Sequence, residues 1–310
     1  MMKQIFQFLF LMFVSSSAAH SADENETIKL VFGGDVTLTA AYNDIVPNAR
    51  DPEYPFKRLR TFFQNADLVM VNCETAITRR GNRVAKQFNF RMDPEMASAF
   101  SRAGISLVTI ANNHVFDYGV EGLSDTLHTL DALHIGHVGA GMTLEEARKP
   151  VVRNIKGKKI VFLAYGNYAA ATARTPGTAY RNPDYVVEDV KSAKKNGADI
   201  VVINFHWGTE LARQPNSGDR ALAYRAVEAG ADIIVGHHPH VLQPMEIYHG
   251  KVIAWSLGNF IFGGNRRSEK ESALLEVSIS PRGDMSYVSI PIRIDVAETR
   301  YQPYIIEHKE

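Results

Sequence analysis

Short apolar runs ending in polar clusters recur along the chain, and most are followed by a stretch with helical spacing. Residues 28–32 lead into Gly33, Gly34 and Asp35, and residues 68–71 into Asn72, Cys73 and Glu74. Residues 107–111 lead into Asn112, Asn113 and His114, and residues 160–164 into Tyr165, Gly166 and Asn167. Residues 200–205 lead into His206, Trp207 and Gly208, and residues 233–235 into Gly236, His237 and His238. Brief, almost wholly apolar runs bounded by turn residues have the signature of strands buried on both faces. Between them, residues 56–65, 94–103, 122–133, 186–196 and 219–229 predict helices. Gly104, Gly197 and Gly230 stand just past the last apolar position of three of these, where a left-handed residue ends a helix. Strands alternating with helices predict an α/β fold.

The last third reads differently. Residues 252–256, 274–280 and 286–292 are strand-like, with a turn at 281–283, and predict an antiparallel, β-rich segment. A second sheet packed on the first would use these strands. Residues 167–185 lack periodicity and predict a long loop, placed over a site.

The N-terminus has the three parts of a secretory leader: Lys3, an apolar run over residues 5–14, and a tail holding Ala18, Ala19 and Ala22. The run is too short to span a bilayer, which takes about 20 residues. The reading is a signal peptide over 1–22, cleavage between Ala19 and Ala22, and an exported mature protein, periplasmic or secreted, with no membrane anchor. The body is assigned to 28–295, with 296–310 as a C-terminal tail. The 34 basic and 34 acidic side chains cancel, and no basic stripe interleaved with aromatics is present. Nucleic acid is therefore not an expected partner. Cys73 is the sole cysteine. It has no internal disulfide partner, and its place at a strand end reads as a small buried residue rather than a nucleophile.

In open α/β sheets, ligands bind beyond the carboxyl ends of the strands. Here those ends carry Asp35, Glu74, Asn113, His114, His206, His238 and His240. Carboxylates, a carboxamide oxygen and neutral imidazoles are the donors that bind zinc, manganese or iron. Each has a plainer reading. Asp35 is also a turn or N-cap residue, and Glu74 a cap or an arginine partner. The Asn112–His114 run also suits left-handed loop backbone, and His206 a hydrogen-bonded core position. All of these would have to hold together to explain the set, so the donors predict a site for one or two divalent ions.

The ordered motifs carry a resemblance. Gly33-Gly34-Asp35, Asn72-Cys73-Glu74-Thr75, Asn112-Asn113-His114-Val115-Phe116-Asp117-Tyr118-Gly119, His206-Trp207-Gly208-Thr209-Glu210, Gly236-His237-His238-Pro239-His240-Val241 and Ser256-Leu257-Gly258-Asn259-Phe260 follow one another. The series resembles that of the CapA-like poly-gamma-glutamate capsule synthesis family, itself similar to calcineurin-like metallophosphoesterases. It covers residues 28–262, most of the mature chain. The resemblance implies two packed mixed β-sheets flanked by helices, the four-layer αββα sandwich of metallophosphatases. It implies Asp35, Glu74, Asn113, His206, His238 and His240 as metal ligands, with His237 a neighbour. His114 is implied to act on the substrate, and Asn72, Asn112, Glu210 and Asn259 to bind it. One position departs from the pattern: the phosphoesterase series begins Asp-x-His, and here Asp35-Val36-Thr37 lacks that histidine. Glu74, Asn113, His206 and His238 still make a complete ion position, while Asp35, Glu74 and His240 make a poorer second one.

Two functions follow from the resemblance. The first is a metal-dependent hydrolase of an anionic envelope polymer, poly-gamma-glutamate, with Arg79, Arg80 and Arg174 available to carboxylates. The second is a non-enzymatic scaffold or export subunit of a membrane-bound capsule synthesis complex. A third, an envelope phosphodiesterase, rests on fold analogy alone.

Overall fold

A computed structural model of the chain describes residues 26–46, 48–262 and 269–307; the leader expected over 1–22 lies outside them. The apolar runs form strands whose side chains alternate between two dry faces. Leu30 and Phe32, Leu68 and Met70, Phe162 and Ala164, and Ile200 and Val202 point into one core. Their neighbours Val31, Val69 and Val71 enter a second core, and Val161, Leu163, Val201 and Ile203 a third. A strand buried on both faces is nearly continuous in hydrophobicity, which is the pattern in the sequence.

The strands of the two large sheets are β1 (Ile28–Val36), β2 (Leu68–Cys73), β3 (Ile105–Thr109), β4 (Gly136–Val138), β5 (Val151–Ile155), β6 (Lys158–Tyr165), β7 (Ile200–His206), β8 (Ile233–His237), β9 (Met245–Tyr248), β10 (Lys251–Ala254), β11 (Asn259–Ile261), β12 (Glu271–Ile279), β13 (Met285–Arg293) and β14 (Tyr304–Ile305). The first sheet has the order β14-β13-β12-β1-β2-β3-β4, with β11 also on β1, and the second the order β9-β10-β8-β7-β6-β5. In the first, β1 to β4 run parallel and β12 to β14 antiparallel. In the second, β6, β7, β8 and β10 run parallel, with antiparallel edges β5 and β9. The inner faces share one core. The outer face of the first sheet packs on a cluster with Phe56, Phe63, Phe100, Leu123 and Leu130. The outer face of the second packs on Val186, Val190, Leu222 and Ala226. These come from helices α1 (Gly119–Ala132), α2 (Pro183–Lys195) and α3 (Ser217–Ala229), from the short helices Arg60–Gln64 and Ser98–Ala103, and from the turn at Phe56. The architecture is the four-layer αββα sandwich.

Three expectations change in detail. Of the C-terminal strands only the one at 252–256 joins the second sheet, as β10, parallel to β8. β12 and β13 extend the first, because Leu275, Val277 and Ile279 find their core on the inner face beside β1. The helix expected over 56–65 is only Arg60–Gln64. The chain before it forms successive turns, such as Leu59 N donating to Phe56 O, after Pro55 restricts the residue preceding it. Within the 167–185 loop, Gly177–Thr178 pairs with Ala140–Gly141. α2 then starts at Pro183, because the Asn182 side chain accepts from Asp184 N at 2.8 Å.

The Gly33–Gly34 pair marks a change of partner along β1. Residues 28–32 pair with β12, and residues 35–36 pair with β11. At the crossover a Cβ on Gly34 would lie 1.9 Å from Gly258 O, so only glycine lets the two backbones meet. Asp35 N then donates to that same oxygen at 3.0 Å, which fixes Asp35 at the strand end.

Candidate metal centre

The two sheets bring their carboxyl ends to one place. Asp35 ends β1, Glu74 follows β2, and Asn112–His114 follow β3. Across from them His206 ends β7, and the run from His237 to His240 ends β8. The two sets touch. Asn113 Oδ1 lies 2.7 Å from His206 Nε2, Asp35 Oδ1 3.2 Å from His237 Nδ1, and Asp35 Oδ2 3.1 Å from His240 Nδ1. His238 and His240 both take positive φ, 96° and 59°, a conformation costing side-chain-bearing residues about 1–3 kcal/mol and concentrated at functional sites.

Beneath the donors runs an amide network. Asn72 Nδ2 donates to Asp35 Oδ1 at 2.8 Å and to Glu74 Oε2 at 3.1 Å. Asn112 Nδ2 donates to Asn72 Oδ1 at 2.9 Å and to Cys73 O at 2.8 Å. Asn112 Oδ1 accepts from His114 N at 3.0 Å. On the β11 side, Asn259 Oδ1 lies 2.9 Å from His240 Nδ1. Asn72, Asn112 and Asn259 are all buried.

Electrostatics separate the members. Burial pushes the Asp35 carboxyl up, but hydrogen bonds from His237 and His240 overcome this and hold it well below the usual carboxylate value. Burial, then the Asp35 charge, pushes Glu74 well above it. Burial and the neighbouring His238 push His206 well down. Burial and His240 bring His238 down to about 4. His240 is opposed by burial yet raised to about 9 by the Glu74 and Asp35 carboxylates. His206 and His238 are therefore neutral at pH 7, the form that ligates metal.

The donor set fits divalent ions. Glu74 is fully buried, and among the described residues its Oε1 accepts no hydrogen bond. That oxygen lies 3.7 Å from His206 Nε2 and 3.7 Å from His240 Nε2. A fully buried carboxylate oxygen that faces two imidazole nitrogens from beyond hydrogen-bond reach is left unsatisfied, which a bound cation would relieve. Glu74, His206 and His238 converge on one point, and Asp35, Glu74 and His240 on a second; in each group the donor atoms lie within 4.8 Å of one another. Asn113, bonded to His206, lies beside the first. Glu74 belongs to both.

His114 has surroundings of its own. Its Nδ1 is 2.7 Å from Asp117 Oδ2, and Phe90 stacks on the ring with centroids 4.1 Å apart. Lys86 Nζ donates to Asn113 O at 2.7 Å, pairs with Asp117 and lies 3.2 Å from His114 Nδ1. Burial lowers the His114 pKa, and Asp117 opposes this. Asp117, Lys86 and Phe90 are not among the residues that the motifs single out for a role. Asp117, three positions after His114, is the one with a sequence signal, since it lies inside the motif. His237, expected as a neighbour, stands with its Nδ1 3.2 Å from Asp35 Oδ1.

The remaining candidates are placed as follows. Glu210 is exposed, in the loop after β7. Arg79 is engaged with Asp93 and Glu95, and Arg80 with Asp125. Arg174 lies in the exposed turn at Thr172–Thr175. Cys73 is buried, and burial pushes its thiol up to about 12, so it is an inert core residue.

Comparison with known proteins adds the following. A family model for the bacterial capsule synthesis protein PGA_cap matches residues 29–264. The capsule biosynthesis protein CapA of Bacillus anthracis is 33% identical, over 87% of this chain and 68% of that protein. The PGA biosynthesis protein CapA of Bacillus subtilis (strain 168) is also 33% identical, over 95% of this chain and 82% of that protein. Among solved structures, the 5'-nucleotidase of Candida albicans SC5314 superposes with a TM-score of 0.52 at 13% identity, over 88% of this chain. The chain spans about half of that enzyme, 53% of its length. That likeness concerns the fold alone, which is of the metallophosphatase type.

Proposed function

The chain belongs to the family of bacterial capsule synthesis proteins described by the PGA_cap model, and from that premise we propose that it is an exported, metal-dependent hydrolase of poly-gamma-glutamate. The observation that carries the reading is the bare Glu74 Oε1 held between His206 and His240. A purely structural role gives no reason for that arrangement. In the proposal Glu74, Asn113, His206 and His238 hold one divalent ion, and Asp35, Glu74 and His240 hold a second.

A divalent ion in such a site lowers the pKa of water and polarises the oxygen of the bond under attack. The chain's own residues do the rest. Asp117 would accept a hydrogen bond from Nδ1–H of His114, so that Nε2 can take a proton from the attacking water and pass it to the departing amine as the amide C–N bond breaks and water's oxygen joins the carbonyl carbon. Phe90 holds the ring plane, and Lys86 places positive charge beside a polyanionic substrate. Asn72, Asn112 and Asn259 keep the ligands in position rather than facing substrate.

A second reading, a non-catalytic subunit of a capsule synthesis or export complex, has one observation in its favour: Thr37 stands where the related phosphoesterase pattern has a histidine. Incubating the protein with poly-gamma-glutamate and Mn(II), and following polymer length together with new amino termini, separates the two. The hydrolase reading expects shortening that falls by about 10²-fold or more in His114→Ala. Unchanged polymer with metal-loaded protein would give the subunit reading the field.

A further inference from the structure

The second ion position is short of a donor. Asp35, Glu74 and His240 give three, and a tetrahedral or larger coordination shell needs at least one more. Thr37, two residues after Asp35, offers no imidazole. His237 is the nearest histidine, but its Nδ1 faces Asp35 Oδ1 at 3.2 Å and its Nε2 faces Asn204 Oδ1 at 3.3 Å. It joins no convergent donor group among the described residues, so it orients Asp35 from behind.

Glu210 is placed otherwise. A carboxylate oxygen of Glu210, one ring nitrogen of His238 and one of His240 lie within 4.8 Å of one another. Among the described residues no hydrogen bond or salt bridge holds that carboxylate elsewhere, and Glu210 is exposed, so its side chain has rotamers to spare. The loop reaches the site because Leu211 N donates to Pro239 O at 2.8 Å, which ties residue 211 to the turn carrying both histidines. The independent pointer to a cation is again Glu74 Oε1, fully buried, without a hydrogen bond among the described residues and 3.7 Å from His240 Nε2.

We propose that Glu210 is a metal ligand that closes the second ion position at His240, supplying the donor that Thr37 does not. This rests on the metal reading above and gives Glu210 a different task from the substrate contact its motif suggests. The completed position has three carboxylates and one imidazole, a hard, oxygen-rich set favouring Mn(II) over Zn(II) relative to the histidine-rich first position.

The test is titration of the metal-free full chain with Mn(II) alone, followed by calorimetry and by electron paramagnetic resonance of the bound ions. Wild type is expected to take two ions, with the exchange-broadened spectrum of a coupled pair. Glu210→Gln is expected to keep the first step within about twofold, lose the second by at least tenfold, and give the spectrum of an isolated ion. Glu210→Asp should recover part of the second step. A general charge effect would instead weaken both steps alike and would overturn the assignment. So would a Glu210→Gln chain that still binds two coupled ions, or a wild type that binds a single ion with or without Glu210. A wild type that binds no Mn(II) would overturn the metal reading itself, which the retained first step in the variant otherwise keeps standing.

Discussion

Replacing Gly34 with alanine perturbs the point where β1 changes partner. The added methyl would start 1.9 Å from Gly258 O and 3.0 Å from Gly258 C. Both neighbours are backbone, so no side chain can swing away, and the β1–β11 contact has to open by roughly 1 Å. That opening breaks the 3.0 Å bond from Asp35 N to Gly258 O, worth about 0.5–1.5 kcal/mol. The repacking of Phe260 and Val71, which crowd the adjacent Gly33, adds about 1–3 kcal/mol. Together a loss of about 2–4 kcal/mol is expected from urea denaturation, with the slope unchanged. Asp35 and Asn259 flank the opened contact, so metal affinity should fall in the same variant by more than about tenfold, the loss typical when ligand support is disturbed. A stability change below about 0.5 kcal/mol would refute the claim that this crossover needs glycine.

Other outcomes follow from the same geometry. Phe162→Ala empties a fully buried site between the sheets and should cost about 3–5 kcal/mol by chemical denaturation; a loss under 1 kcal/mol would mean that the inter-sheet core is not close-packed there. Cys73 should stay unreactive towards a thiol reagent at pH 8 until denaturant is added, since its thiol is buried and pushed up to about 12; rapid labelling of the native chain would contradict its placement. In ¹⁵N-histidine spectra of the metal-free protein, His114 should carry its proton on Nδ1, facing Asp117, and Asp117→Asn should shift it towards the other tautomer. An Nε2–H form in the wild type would remove Asp117 from the account.

Much of the fold was legible because strands buried on both faces leave uninterrupted apolar runs, as in 28–32 and 200–205. Gly104 and Gly230 then mark helix ends by their left-handed φ of 92° and 119°. The missed strands leave weaker traces. β5 alternates partly buried with exposed positions, and β4 and β11 span three residues each, too few for periodicity to register. The C-terminal strands were legible as strands but not by destination, since which sheet they join depends on the free side of β1 and not on their own pattern. The donor set could be read because each member lies at the carboxyl end of a strand or within a few residues past it. The setting of His114 could not, since Lys86 and Phe90 reach it from a loop more than twenty residues earlier in the chain. Nor could the engagement of Arg79 and Arg80 with Asp93, Glu95 and Asp125, which depends on tertiary placement.

The central claim is that these strand ends hold divalent metal. Elemental analysis of the full chain purified without chelator, beside Glu74→Ala and His206→Ala, tests it most directly. The account expects at least one transition metal ion per wild-type chain and a substoichiometric amount in both folded variants. A wild type that carries no stoichiometric metal after growth and purification under metal-replete conditions, or variants that keep it in full, would contradict the account.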